Sequence, residues 1–201
     1  MVHRRNKFRL GILVSGRGSN LQALIDASKK KEIDAEVVVV ISNNPKAFAL
    51  ERAKKHKIPA IAPPDQSEKA FITILKQYDV DLVCLAGFMK ILSPAFLKAF
   101  PKKIINIHPA LLPAFPGLQA QKQAFDYGVK VTGVTVHFVD EGCDTGPIIL
   151  QSPVVVQEDD TLGSLTERLL KEEHKSYPKA IQLLATERLK IAGRRVIQRK
   201  K

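Results

Sequence analysis

An amide and an imidazole stand two residues apart in the stretch "INIHPALLPAFPG" (105–117), as Asn106 and His108. On an extended strand, residues i and i+2 point to one face, so the two polar groups share a face at the strand's end. Pro109 holds His108 to extended backbone, and Pro113 and Pro116 stiffen the loop beyond it and forbid a helix. An amide N–H beside an imidazole suits acyl transfer: the amide steadies a developing oxyanion and the imidazole moves the proton. Such an imidazole needs a third group to orient or charge it. Asp144, in the glycine-flanked loop "DEGCDTGPIILQ", is placed for that role. Each residue also has a plain structural reading. Asn106 can close a turn, His108 can be a satisfied core histidine, and Asp144 can turn its loop.

A second polar group of residues lies in "VSGRGSNLQAL" (14–24). Gly16 and Gly18 let backbone N–H groups approach an anion, and the helix that follows adds partial positive charge at its N-terminus. Ser19 and Asn20 can cap that helix or donate to a phosphate. Leu21 stands where a dinucleotide-binding turn needs its third glycine, and no GK[ST] follows. Capping alone remains open as the reading of this loop.

The elements that must position these groups alternate. "FRLGILVSG" (8–16), "AEVVVVISN" (35–43) and "VDLVCLAG" (80–87) read as buried strands. Helices are predicted over 19–31, 45–57 with Pro45 in the first turn, and 67–79, with a short strand in "IPAIAPP". A Ser-capped helix (93–100), the strand "KIINI" (103–107) and a helix ended by Gly128 (118–128) follow. This order predicts an α/β fold with a doubly wound parallel sheet, whose ligands sit at the C-terminal strand ends. Segments 130–140 and 147–157 leave no room for a crossover helix and should pair antiparallel. A long helix over 161–186, with Leu162, Leu165, Leu169 and Leu170 along it, leads to a terminal hairpin (188–198) turning near Gly193.

Composition bounds the rest. With 201 residues, 45% hydrophobic and 26% charged, the chain fits a single globular domain over 1–201. No apolar run approaches the ~20 residues of a membrane span. The N-terminal "LGILV" is too short for a signal-peptide core, so the cytoplasm is expected. Cys84 and Cys143 lack the spacing of a disulfide scaffold or zinc site, so no metal is expected. Of the net charge of +12, nine charges sit in acid-free ends, residues 1–9 and 194–201. These read as basic tails at about 1–7 and 194–201, and no reading motif accompanies them, so nucleic acid is not expected as a partner.

The stretches "NIHPALLPAFPG" and "DTGPIILQ" closely resemble the folate-dependent formyltransferases. "SGRGSNLQALIDA", "LAGFMKILSPAF" and "EEHKSYP" narrow the resemblance to the purine-pathway branch of that family, over about residues 8 to 192. The resemblance implies a Rossmann-like, mostly parallel sheet with an antiparallel C-terminal part. It implies a transferase that passes the formyl group of 10-formyltetrahydrofolate to the amine of glycinamide ribonucleotide, by direct attack through a tetrahedral intermediate. The family's catalytic Asn, His and Asp fall on Asn106, His108 and Asp144. Its phosphate loop falls on Gly18, Ser19 and Asn20, and its ribose-contacting Glu on Glu173. Its pterin pocket falls on Met89, Lys90, Ile91 and Leu92 and on Asp140, Glu141, Gly142, Cys143 and Asp144. Many relatives carry Arg at Lys90, and some a polar residue at Leu170, for which Lys171 is the candidate replacement. His174 reads as structural. A tRNA-formylating relative would add an RNA-binding domain and a formyltetrahydrofolate hydrolase a regulatory one, and neither is expected here. A monomer or a homodimer is expected.

Overall fold

The computed structural model describes residues 7–199. Strands β1 (Phe8–Val14), β2 (Ala35–Ser42), β3 (Ala60–Ile61), β4 (Leu82–Leu85) and β5 (Ile104–His108) are parallel and lie in the order β3-β2-β1-β4-β5. Strands β6 (Val131–Phe138) and β7 (Ile148–Val155) continue the sheet antiparallel, as the short connection between them requires. A hairpin of β8 (Leu189–Ala192) and β9 (Arg195–Gln198) completes the edge, with β9 parallel to β7. Among the described residues no helix is long and apolar enough to cross a membrane.

Alternation along the strands fills two cores. Leu10, Ile12 and Val14 of β1 point to the face covered by α1 (Ser19–Lys29) and α6 (Leu162–Ala185), where Leu21, Leu24, Tyr177 and Ile181 are buried. Leu13, with Val39 and Ile41 of β2, points to the other face, against Phe71 and Leu75 of α3 (Glu68–Gln77) and Phe96 of α4 (Pro94–Ala99). Hydroxyl caps start three helices: Ser67 Oγ accepts from Ala70 N (3.1 Å), Ser93 Oγ from Phe96 N (3.3 Å) and Thr161 Oγ1 from Ser164 N (3.1 Å).

Three boundaries differ from the sequence reading. Helix α2 (Phe48–Lys55) begins after Pro45, because Asn44 Oδ1 and its carbonyl accept from Lys46 and Ala47 and bend the chain into a turn first. Helix α5 (Ala120–Tyr127) starts late because Gln119 has φ 57°, outside helical backbone; Gly128, at φ 79°, ends it as predicted. The C-terminal basic tail is corrected: residues 195–198 are strand β9, whose Arg195 pairs with Ile148 of β7. The rest of the tail reading, at residues 1–6 and 200–201, lies outside the described residues.

Helix α6 also pins the strand ends. The buried Tyr177 hydroxyl donates to the Leu85 carbonyl (2.9 Å) and lies 3.2 Å from that of Ile105. Leu85 is in register with Asn106, so this clamp sits directly beneath the polar end of β5. Tyr177→Phe is expected to cost about 1 kcal/mol. Urea unfolding should show it as a lower midpoint at unchanged m, and an unchanged midpoint would remove the clamp from the account.

Candidate active site

The C-terminal ends of β1, β4 and β5 form one rim, at the point where strand order reverses around β1. Asn106 and His108 lie at the end of β5, and Asp144 reaches them from the β6–β7 loop. Asp144 Oδ2 is 3.2 Å from His108 Nδ1, and Asp144 Oδ1 accepts from Asn106 Nδ2 at 3.3 Å. The Gly117 N–H donates to Asp144 Oδ2 at 2.8 Å. The backbone of Asp144 has φ 56°, a left-handed conformation that aspartate tolerates better than most residues. Burial opposes its charge, yet the imidazoles of His137 and His108 and the Gly117 N–H hold its pKa well below the usual carboxylate range.

His108 is buried, with 3% of its surface exposed, and both ring nitrogens are engaged. Its Nε2 lies 2.8 Å from the Phe115 carbonyl, which can only accept, so Nε2 carries a proton. Proton gain and loss therefore happen at Nδ1, the nitrogen that faces Asp144. Burial lowers the His108 pKa, against the opposing pull of Asp144 and the Phe115 carbonyl.

A residue that the sequence reading missed completes the cluster. His137 of β6 is the cross-strand partner of Asn106. Its Nε2 is 3.4 Å from Asn106 Nδ2 and 3.5 Å from Asp144 Oδ1, and its Nδ1 bonds the Phe138 carbonyl at 2.8 Å. The available signal was the one that marked His108: a histidine interrupting the apolar run of a buried strand.

The loop after β1 turns tightly into α1. Gly18 caps α1 with φ 72°, and a Cβ there would stand 2.6 Å from that of Ala49. Arg52 Nε donates to the Arg17 carbonyl (2.9 Å) and braces the loop from outside. Ser19 and Asn20 are the first two residues of the helix rather than its cap, and no side chain caps it. Their N–H groups belong to the helix's open end. Asn20 Nδ2 instead donates to Glu173 Oε2 at 2.6 Å, joining α1 to α6, while Asn20 Oδ1 is buried without a partner among the described residues. Burial pushes the Glu173 pKa up to about 7, with Asn20 opposing.

The remaining sequence-predicted residues flank this rim. Met89 N donates to Ser15 Oγ (2.9 Å), which ties the segment after β4 to the end of β1. The side chains of Met89 and Ile91 are 64% and 78% exposed, Lys90 is exposed, and Leu92 is buried in the core, leaving only its backbone to face a ligand. Asp140 Oδ1 accepts from Gly142 N (3.2 Å) and Thr145 Oγ1 (2.6 Å), while Glu141, Gly142 and Cys143 are exposed on the loop. Leu170 is half-buried and Lys171 exposed. A cavity of about 380 Å³ among α1, α2 and α6 is lined by Ser19, Gln22, Arg52 and His174 and by none of Asn106, His108 and Asp144.

The rim thus has the layout of a group-transfer enzyme of the α/β class, with an amide, two imidazoles and a carboxylate at one point and the N-terminus of α1 beside it. The description "formyl transferase" matches residues 8–181. The phosphoribosylglycinamide formyltransferase of Bacillus subtilis is 44% identical, over 88% of this chain and 94% of its own length. The trifunctional purine biosynthetic protein adenosine-3 of Drosophila melanogaster is 47% identical over 92% of this chain, which spans only 14% of that protein. The crystal structure of glycinamide ribonucleotide transformylase 1 from Symbiobacterium toebii superposes with a TM-score of 0.94 at 47% identity, covering 100% of this chain and 98% of that one. The chain belongs to the formyl transferase family.

Glu173 gives the protein a pH signature. Its folded pKa, near 7, lies above its ordinary value of 4.5, so the protein binds this proton more tightly folded than unfolded. The stabilisation is complete below about pH 4.5 and is lost as pH rises through about 7, by roughly 3 kcal/mol in total. Glu173→Gln should therefore flatten the fall in unfolding free energy across that window. Parallel stability curves for the two proteins would contradict the buried-carboxyl assignment.

Proposed function

We propose that this chain transfers the formyl group of 10-formyltetrahydrofolate to the amine of N1-(5-phospho-D-ribosyl)glycinamide, a step of de novo purine biosynthesis. The observation that carries this reading is the convergence of Asn106, His108 and Asp144 at one strand rim, with Asp144 Oδ2 3.2 Å from the imidazole and Oδ1 3.3 Å from the amide. The names of the relatives support the choice of donor and acceptor. On this reading residues 1–201 act as one formyltransferase domain, in the cytoplasm, as a monomer or a homodimer.

The N–H groups around Gly18, Ser19 and Asn20 receive the acceptor's phosphate, and Glu173 takes a ribose hydroxyl. Met89 and Ile91 offer exposed apolar side chains beside the polar 140–144 loop, a surface that suits a flat pterin ring with a polar edge. When bound, the folate supplies the formyl carbon. The acceptor amine attacks that carbon directly, and no covalent enzyme intermediate forms. Asn106 Nδ2 exchanges its long contacts with Asp144 and His137 for the oxyanion of the tetrahedral centre. His108, displaced by burial toward its neutral form, accepts at Nδ1 the proton released by the attacking nitrogen. Asp144, ionised throughout, stabilises the imidazolium so formed. His108 then gives that proton to the folate nitrogen as its bond to the formyl carbon breaks. The acceptor loses one proton and the departing nitrogen gains one, so the step balances.

The direct test incubates the protein with both substrates and measures formylated acceptor; no acceptor-dependent product would end the reading. Asn106→Ala should lower kcat by about 100- to 1000-fold with a far smaller change in KM, because the lost donor acts mainly in the transition state. A variant with near wild-type turnover would remove Asn106 from the mechanism.

Asp144→Asn keeps the size of the side chain and removes the charge that favours the imidazolium. The pH dependence of kcat/KM assigned to His108 should move to lower pH, and the rate should fall. An unchanged profile and rate would leave Asp144 as a loop residue only.

A further inference from the structure

The C-terminal hairpin lies at the other end of the sequence from the phosphate loop, yet it touches the loop that carries Asp144. Arg194, in the turn between β8 and β9, donates through Nη2 to the Thr145 carbonyl at 2.8 Å, across 49 positions of sequence. Gly193, at φ 60°, makes the turn that presents it. Strand β9 meets β7 at one residue pair, Ile148 with Arg195, a few residues beyond Asp144. The loop is already fixed on its inner side. Thr145 Oγ1 donates to Asp140 (2.6 Å), and Gly146 packs so closely that a Cβ there would stand 1.7 Å from the Phe138 carbonyl. Thr145 is exposed, and Arg194 closes its carbonyl with a charge-assisted bond.

We infer that Arg194 is a positioning residue: its bond to the Thr145 carbonyl, one residue from Asp144, sets how the carboxylate meets His108. The hairpin is then part of the site's support rather than an appendage. Without this bond the loop is held from one side only, and the left-handed Asp144 backbone has one restraint fewer. The carboxylate spends less time beside His108 Nδ1, and the imidazolium loses stabilisation. The titratable groups facing His108 are Asp144 and His137, and those facing Asp144 are His108, His137 and Cys143. Arg194 faces none of them directly, so its effect travels through the loop.

The kinetic arm of the test rests on the formyl-transfer reading; the titration arm does not. The full chain is prepared as Arg194→Ala, Arg194→Gln and, as a control of equal charge loss, Arg195→Ala, with folding checked by circular dichroism. The His108 midpoint is followed by NMR of histidine-labelled protein, and kcat and KM are followed against pH. Arg194→Ala should lower the His108 midpoint and reduce kcat/KM by about 3- to 10-fold, mostly in kcat, while Arg195→Ala matches wild type. If Arg194→Ala does not fold, Arg194→Gln should give the same shift. A wild-type midpoint and rate in the folded variant would overturn the inference, as would an equal effect from Arg195→Ala. A wild-type protein that transfers no formyl group would overturn the functional reading instead, and the His108 titration would still decide the role of Arg194.

Discussion

A carboxylate withdrawn from water and kept ionised is the constraint around which this rim is built. A buried charge left without partners costs several kcal/mol, so Asp144 needs donors, and they come from separate parts of the chain. The proline-rich loop supplies the Gly117 N–H and the end of β5 the Asn106 amide, while the imidazoles of His108 from β5 and His137 from β6 stand 3.2 and 3.5 Å from the Asp144 oxygens. These meet only if β6 runs back antiparallel beside β5 in the observed register. The switch from parallel to antiparallel pairing is therefore more than a variation on the doubly wound sheet. It brings His137 across from Asn106 and turns the following loop back over both.

Burial acts in opposite senses on the two halves of the site. It lowers the pKa of His108 and raises that of Glu173, because each group is displaced toward its neutral form. Asp144 escapes the same pressure through its donors. The rim thus holds a histidine displaced toward its neutral form, a fixed anion and a carboxyl near its midpoint at neutral pH within one framework. Tyr177 and the Asn20–Glu173 bond, both made by α6, link the strand ends and the start of α1 to one helix.

The parts legible in the sequence were those set by local periodicity. Continuous apolar runs located β1, β2, β4 and β5, and the two-residue spacing put Asn106 and His108 on one face, where both meet Asp144. Three features were not legible because they depend on distant pairing. His137 matters only through its register with Asn106, which no single strand reveals. Asn20 stands where a cap was expected, but its partner is Glu173, 153 positions away. The terminal hairpin was visible, while its attachment rests on a single residue pair with β7. The early start expected for α2 failed for a local reason: Asn44 outcompetes the helix for the N–H groups that follow it.

Both edges of the sheet carry protection against self-association. At one edge β3 is only two residues long, too short to template another strand. At the other, the hairpin that ends on the outer strand β8 exposes Lys190, Arg194, Arg195 and Arg199. A second copy approaching this edge would bring like charges together, and the repulsion would weaken as salt screens it. Part of the chain's cationic surplus then serves colloidal behaviour, keeping the nine strands of the described residues from recruiting a tenth from a neighbour, and concentrated preparations should be most prone to aggregate where ionic strength is high.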